Sequence, residues 1–284
     1  YAVIKAAPDF EGDALVILGG KDPANDNRSK GSNYSLTGGI IDGSGIADGV
    51  EIAGGRETAV QEVSIKRAVV GVHILYGANS GSSDADIRDL NIVGSGGTDS
   101  VGILVEGYDN TITNVRICDV YTGVHLKSAG NCLRNIHPLF TVYPDYTGSC
   151  GFISEGGANL FDFCYSDNFH TAFLIKNGVE NRFNDCFTYW YSAEGGEEIC
   201  FRAEGGFNSI ATNTEIGFRS ETKNVVLKTD KTGSGIIQNL IVDEKRAADD
   251  LTYKLYMEDN LAGRIRLLIV RLYNFFRTFS GLFR

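Results

Sequence analysis

The sequence predicts an all-β chain: a right-handed, single-stranded parallel β-helix followed by a C-terminal amphipathic α-helix. Three observations carry this expectation. The 284 residues include 35 Gly but only 4 Pro and one Met, a balance that suits many short strands and tight turns. Short strands opened by a small residue recur every 21 to 31 residues, the mark of a repeat architecture. From Leu261 the apolar spacing becomes helical, which ends the repeat.

The elements follow in chain order. Residues 1–35 are expected as an irregular capping segment, 36–245 as the β-helix and 246–284 as a helical tail. Strands open at Gly71-Val-His-Ile, Gly102-Ile-Leu-Val, Gly123-Val-His-Leu, Gly151-Phe-Ile-Ser, Ala172-Phe-Leu-Ile and Cys200-Phe-Arg-Ala. Within them Val72/Ile74, Ile103/Val105, Val124/Leu126 and Phe173/Ile175 are expected to face inward and stack along the axis. Eight or nine residues after each opening stands an Asn: Asn79, Asn110, Asn131, Asn159, Asn181 and Asn208. An amide side chain both donates and accepts, so stacked Asn can bond one another and the turn backbone. A turn ladder is therefore expected rather than six catalytic amides.

A second strand follows each Asn, with apolar residues at relative positions 0, 3 and 5, as in Val60/Val63/Ile65, Ile87/Leu90/Ile92, Ile112/Val115/Ile117 and Ile237/Leu240/Val242. Alternation interrupted by one residue predicts two strands meeting at a corner, with polar corner residues Asp89, Asn114, Asn135, Asp185 and Asn239. Three short sheets per turn result. The sequence Glu106, Lys127, Glu155, Lys176, Glu204, Lys228 predicts a solvated ladder of alternating charge that fixes register.

Charge and cysteine content narrow the function. A formal charge of −10 argues against nucleic acid, which needs clustered Lys and Arg. The segment from Leu261 carries five Arg and no acid, so its helix is expected to contact a membrane surface or a partner subunit, or to cap the stack. Cys118, Cys132, Cys150, Cys164, Cys186 and Cys200 show no C-x-x-C spacing; Cys164 and Cys186 fall in a column with Val115 and Ile136 and are expected as small buried apolar residues. The chain begins at Tyr1 and is expected to be a processed or trimmed product. A secreted or cell-surface protein is expected, with a cytoplasmic membrane-associated one as the alternative.

The stretch Gly38-Gly39-Ile40-Ile41-Asp42-Gly43-Ser44-Gly45, followed by these coils, resembles the start of the β-helix in the pectin-lyase-like superfamily, nearest to its polygalacturonase-type glycoside hydrolases. The resemblance covers about residues 36–245 and implies a carbohydrate-active protein. The Asn-Thr-Asp, Asp-Asp, Gly-His-Gly and Arg-Ile-Lys motifs of polygalacturonases do not occur here, nor do pectate-lyase signatures, so no catalytic residue carries over. Asp42 itself reads as a turn residue.

Coil length locates a site. The coils from Gly102 and Gly151 take 21 residues, those from Gly123 and Ala172 take 28, and insertions on a repeat scaffold are where function sits. The insertions 139–149 and 189–198 are expected as walls carrying Tyr143, Asp145 and Tyr146, and Tyr189, Trp190, Tyr191, Glu194, Glu197 and Glu198. Asp167 and His170 form the floor, with Asp119 and Tyr121 from the coil before. Sugars stack apolar faces on aromatics and bond acids through hydroxyls, which nominates Trp190, Tyr189, Tyr191, Tyr143 and Asp119 for substrate. Trp190 in the core is the alternative. Glycoside hydrolysis needs two carboxyl groups, and the candidates are Asp167 with Asp145, Glu197 or Glu198, with His170 as a base. Polysaccharide hydrolysis is thus expected over elimination, with a noncatalytic glycan-binding β-helix of the tailspike or adhesin kind as the alternative. No cofactor or metal is expected; a lyase would call for Ca²⁺.

Overall fold

The computed structural model describes residues 2–20, 33–76, 82–141, 146–190, 197–217, 223–242 and 256–257. They form parallel strands in stacked sheets: one of 16 strands, one of 10, and a two-stranded fragment joining Gly55–Arg56 to Ser82–Ser83. This all-β arrangement is consistent with a parallel β-helix. It corrects the expected fold at the C-terminal end, because no helix occurs among the described residues. Residues 261–284 lie outside them, and the one element described beyond Val242 is the strand Tyr256–Met257, which pairs with Lys223–Thr229. A helical spacing of apolar residues creates a face but does not supply the surface that face must bury against. At the other end, parallel pairing already begins inside residues 1–35, with Val3 against Ile40 and Ala14 against Asp48.

Register runs from coil to coil. In the larger sheet Ile87 pairs with Ile112, Ile112 with Leu133, Leu133 with Phe161 and Phe161 with Phe183. In the smaller sheet Val50, Val72, Ile103, Val124, Phe152, Phe173, Phe201 and Leu227 form one column. All are buried. In the later coils these columns turn aromatic: Phe152 stacks on Phe173 at 5.0 Å and Phe161 on Phe183 at 4.7 Å, with edge contacts between the two pairs. The inward residues read from the sequence are thus the core.

The larger sheet is creased. Strands Ala59–Gln61 and Ser64–Ala68 both pair with the single strand Asp86–Gly94, on either side of Asp89. Asp89, Asn114, Asn135, Asp185, Asn213 and Asn239 all have φ between 49° and 57° at this crease. Asn and Asp reach this left-handed region at the least cost among side chains other than Gly, which explains the polar corner in the sequence. The crease gives the larger sheet two faces and the smaller sheet the third, with the two-stranded fragment an addition at one turn.

Opening glycines have a packing cause. A Cβ at Gly102 would lie 2.6 Å from Ile117 Cγ2 and 2.5 Å from the Gly123 carbonyl oxygen, so the β-branched inward column excludes a side chain there. The same crowding holds one and two coils on, where a Cβ at Gly123 would meet Pro138 Cβ at 2.5 Å and one at Gly151 would meet Ser166 Oγ at 2.2 Å.

The buried turn ladder is present. Asn110 Nδ2 donates to Asn131 Oδ1 at 2.9 Å and Asn131 Nδ2 to Asn159 Oδ1 at 3.1 Å, while each Oδ1 also accepts the backbone N–H of the preceding Asn. The Asn159 N–H donates to Asn181 Oδ1. At the next coil the row departs from expectation: the Asn181 N–H donates to Ser209 Oγ, and Asn208 instead reaches the Gly178 carbonyl. Asn79 lies outside the described residues, and Ala85 holds the corresponding place, its N–H donating to Asn110 Oδ1.

On the smaller sheet Lys127 pairs with Glu106 and Lys176 with Glu155, each at 2.8 Å. The ladder is shorter than expected, because register sets Lys228 beside Arg202 rather than above Glu204, and Lys228 pairs with Glu197. All six cysteines are free thiols, and Cys164, Cys186 and Cys200 are fully buried. Burial raises the Cys150 thiol to about 12.

The fold makes a direct prediction. Asn131→Ala strands the buried N–H and amide of Asn110 and should cost about 2–4 kcal/mol in urea unfolding, since each orphaned buried group costs about 1–3 kcal/mol. Asn114→Ala, on the exposed crease, should cost less than half as much. Equal costs would contradict the buried ladder as the main turn constraint.

Candidate functional site

The outward residue between the last two apolar positions of each second strand builds a continuous column. Asn91 pairs with Arg116 and Arg116 with His137; one coil on, Tyr165 pairs with Phe187, Phe187 with Glu215 and Glu215 with Ile241. The His137 ring stacks on Tyr165 at 4.0 Å and 14°, and Tyr165 meets Phe187 at 4.6 Å. Phe187 lies parallel to Tyr189, 6.1 Å away. Beside this aromatic run a lateral groove of about 590 Å³ opens along the larger sheet. Its far wall is the crease, with Asn135, Phe163, Asp185 and Asn213, and Arg116 and Glu215 stand toward opposite ends.

Phe163 is the anomaly of the wall. It occupies the crease position held by Asn135 in the coil before and Asp185 in the coil after, keeps φ at 52°, and is 63% exposed. A non-Gly residue in that conformation costs about 1–2 kcal/mol, and Phe has no short polar group to bond the local backbone.

Asp167 ends the strand Tyr165–Asp167, two residues beyond the aromatic column, and pairs with Leu139 and Tyr189. It therefore sits between the starting points of the two insertions, as the coil lengths suggest. It is only 8% exposed. Its Oδ2 lies 3.5 Å from His137 Nε2 and accepts from the Tyr165 hydroxyl at 3.3 Å, while Oδ1 is covered and accepts no hydrogen bond. The partners of Asp167 are thus an imidazole and a phenol, not a second carboxylate.

The other expected site residues distribute as follows. Tyr143, Asp145, Tyr191 and Glu194 lie outside the described residues. Glu197 and Glu198 belong to the strand Glu197–Ala203 of the smaller sheet; Glu197 is ion-paired with Lys228 at 2.9 Å and Glu198 is fully buried. Trp190 is 1% exposed within the main core, its indole N–H donating to the Phe169 carbonyl, so it fills the stack instead of presenting a face to a sugar. Its lone position beside Tyr189 and Tyr191 hides this, because a strand leaving the sheet can turn its next side chain inward. Asp119 is a corner residue with φ 53°, its carboxylate taking the Thr141 hydroxyl. Tyr189 remains half-buried next to the groove. Asp42 is a turn residue: it accepts the Ser44 N–H, and the Arg67 guanidinium holds its carboxyl below the ordinary range.

His170 is buried against Tyr146, ring to edge at 5.4 Å, with Nδ1 3.2 Å from Thr171 Oγ1. Burial lowers its titration below the ordinary imidazole range, against the pull of Glu197. This places it behind the surface rather than in the groove. Among the described residues no group of three His, Cys, Asp or Glu side chains could hold a metal ion.

His137, Tyr165, Phe187 and Phe163 were legible in the repeat. Aligning each second strand on its apolar triplet puts Ser64, Asn91, Arg116, His137, Tyr165, Phe187 and Glu215 in one outward file, aromatic only in its middle. Compared with known proteins, the chain matches no family model, and no curated protein is similar to it.

The lowered titration of His170 has a sign. The unfolded imidazole takes up its proton at a higher pH than the folded one, so folding is favoured fully above about pH 6.5 and progressively less as pH falls through the depressed value. Urea midpoints should drop between about pH 7.5 and pH 5, and His170→Gln should flatten part of that drop. An unchanged pH profile in His170→Gln would show the loss to come from other groups.

Proposed function

We propose that this chain is a carbohydrate-binding protein whose ligand lies in the lateral groove, along His137, Tyr165 and Phe187. The observation that carries this reading is an outward aromatic run bordered by hydrogen-bonding side chains: Asn135, Asn213, Asp185 and Glu215 line one groove with rings that pack on one another outside the core. Pyranose rings present C–H faces to aromatics and hydroxyls to amides and carboxylates, and this mixture supplies both. Apolar ligands would leave the polar fringe unpaired. With acids at Asp185 and Glu215 and a single Arg at the opposite end, the groove favours neutral or weakly charged glycans over polyanions. The resemblance of the repeat to the pectin-lyase-like superfamily supports the same class of ligand.

Catalysis is a second reading, favoured by one feature. A carboxyl group as covered as Asp167, with one oxygen unpartnered and a histidine beside it, is the kind of group that serves as an acid or base in a cleft. Hydrolysis by two carboxylates would need a partner acid that the described residues do not set beside it.

Tyr165→Ala should weaken binding to immobilised neutral oligosaccharides by about tenfold, the effect of losing one stacked face, while leaving the far-ultraviolet circular dichroism unchanged. Retained affinity would place the ligand elsewhere. For the second reading, Asp167→Asn should abolish release of new reducing ends while keeping affinity; if the wild-type chain releases none from any bound glycan, the protein is a binder only.

A further inference from the structure

Phe163 is unexplained by folding. Seven other coils fill its crease position with Glu62, Asp89, Asn114, Asn135, Asp185, Asn213 or Asn239, all with φ between 49° and 58°. These residues bond along the crease: Asn135 Nδ2 donates to Asn114 Oδ1 at 3.0 Å and Asn239 Nδ2 to Asn213 Oδ1 at 3.0 Å. Phe163 interrupts that row, takes the same left-handed backbone without a polar group to ease it, and leaves its ring 63% exposed. Its ring is stacked on no other among the described residues, although it lines the same groove as Tyr165 and Phe187. Each of these features costs stability, and none is offset by packing. A bulky residue held in a strained conformation and pointed at open space is the pattern of a functional constraint.

We propose that Phe163 is a ligand-gripping residue: a second aromatic surface on the crease that covers a neutral sugar unit lying on Tyr165 and Phe187. This rests on the reading of the groove as a glycan site and adds the residue that gives it two sides. The neighbouring Asp185 and Asn135 then sit at the edge of the covered ring, where its hydroxyls emerge. Selection for binding at this position has overridden selection for the crease amide, so binding and stability should move in opposite directions when Phe163 is replaced.

The test uses the full chain, three variants and an array of neutral oligosaccharides built from hexoses and pentoses. Phe163→Asn restores a crease amide and should raise Tm by about 2–4 °C while lowering affinity about tenfold. Phe163→Leu keeps the strain and loses the ring, so affinity should fall without a rise in Tm. Tyr165→Ala is the control for the groove itself. If Tyr165→Ala loses binding while Phe163→Asn keeps it, the gripping role is wrong and the groove stands. Loss of stability in Phe163→Asn would overturn the claim of strain held for function. Undiminished binding in all three variants, or no binding by the wild-type chain, would remove the groove reading and the inference with it.

Discussion

Everything in this chain depends on coils lying in register, so that residues 21 to 31 apart in sequence become neighbours along a column. Two kinds of buried contact impose that register. Apolar columns such as Val72, Ile103, Val124, Phe152 and Phe173 bury each coil against the next, and a one-residue slip would turn every one of them outward. The Asn110, Asn131, Asn159 row then pins the turn, because each carboxamide is shared between a side chain and a backbone N–H of the adjacent coil. Hydrophobic burial supplies the driving force and the amides supply the specificity.

The same constraint creates the surface. Once register is fixed, whatever occupies one outward position becomes a file on the outside of the sheet. In the first coils that file is Ser64 and Asn91, and there it is only solvated. From His137 to Phe187 it becomes aromatic, and the crease beside it changes from Asn135 to Phe163 at the same level. Two independent positions of the repeat therefore alter together over the same coils, which a folding requirement alone does not demand. Asp167 joins them from the next outward position, tied to His137 and Tyr165 rather than to the acids of the smaller sheet.

How much of this was legible followed from how local each signal is. Inward columns, crease residues and the Asn row repeat in every coil, and their physical cause acts in every coil, so periodicity revealed them. The row departs from expectation at Asn208 against Ser209, because either neighbour can offer an oxygen to the Asn181 N–H, and before Asn110, where Ala85 holds the place expected of Asn79. Site residues do not repeat. The position of Asp167 between Leu139 and Tyr189, where the two insertions begin, was legible from coil length alone. Aromatic clustering says nothing about which way a side chain turns as the chain leaves a strand, so Trp190 stands in the sequence as either a sugar platform or a core residue, and its burial, with the indole bonded to Phe169, selects the core. Glu197 and Glu198, expected on the wall 189–198, instead open a strand of the smaller sheet, where Glu197 pairs with Lys228 and Glu198 is buried. His137 and Tyr165 lie on regular strands rather than on the long insertions, so coil length carries no signal for them.

On the reading proposed above, a glycan lies on the aromatic file of the larger sheet, and not on the smaller sheet or the turn ladder. Crystals of the protein soaked with the tightest-binding oligosaccharide test this most directly. Sugar density between Phe163 and the Tyr165–Phe187 rings, with hydroxyls reaching Asp185 or Asn135, is the predicted result. Density confined to the smaller sheet, or lodged among the amides at Asn159 and Asn181, would contradict it.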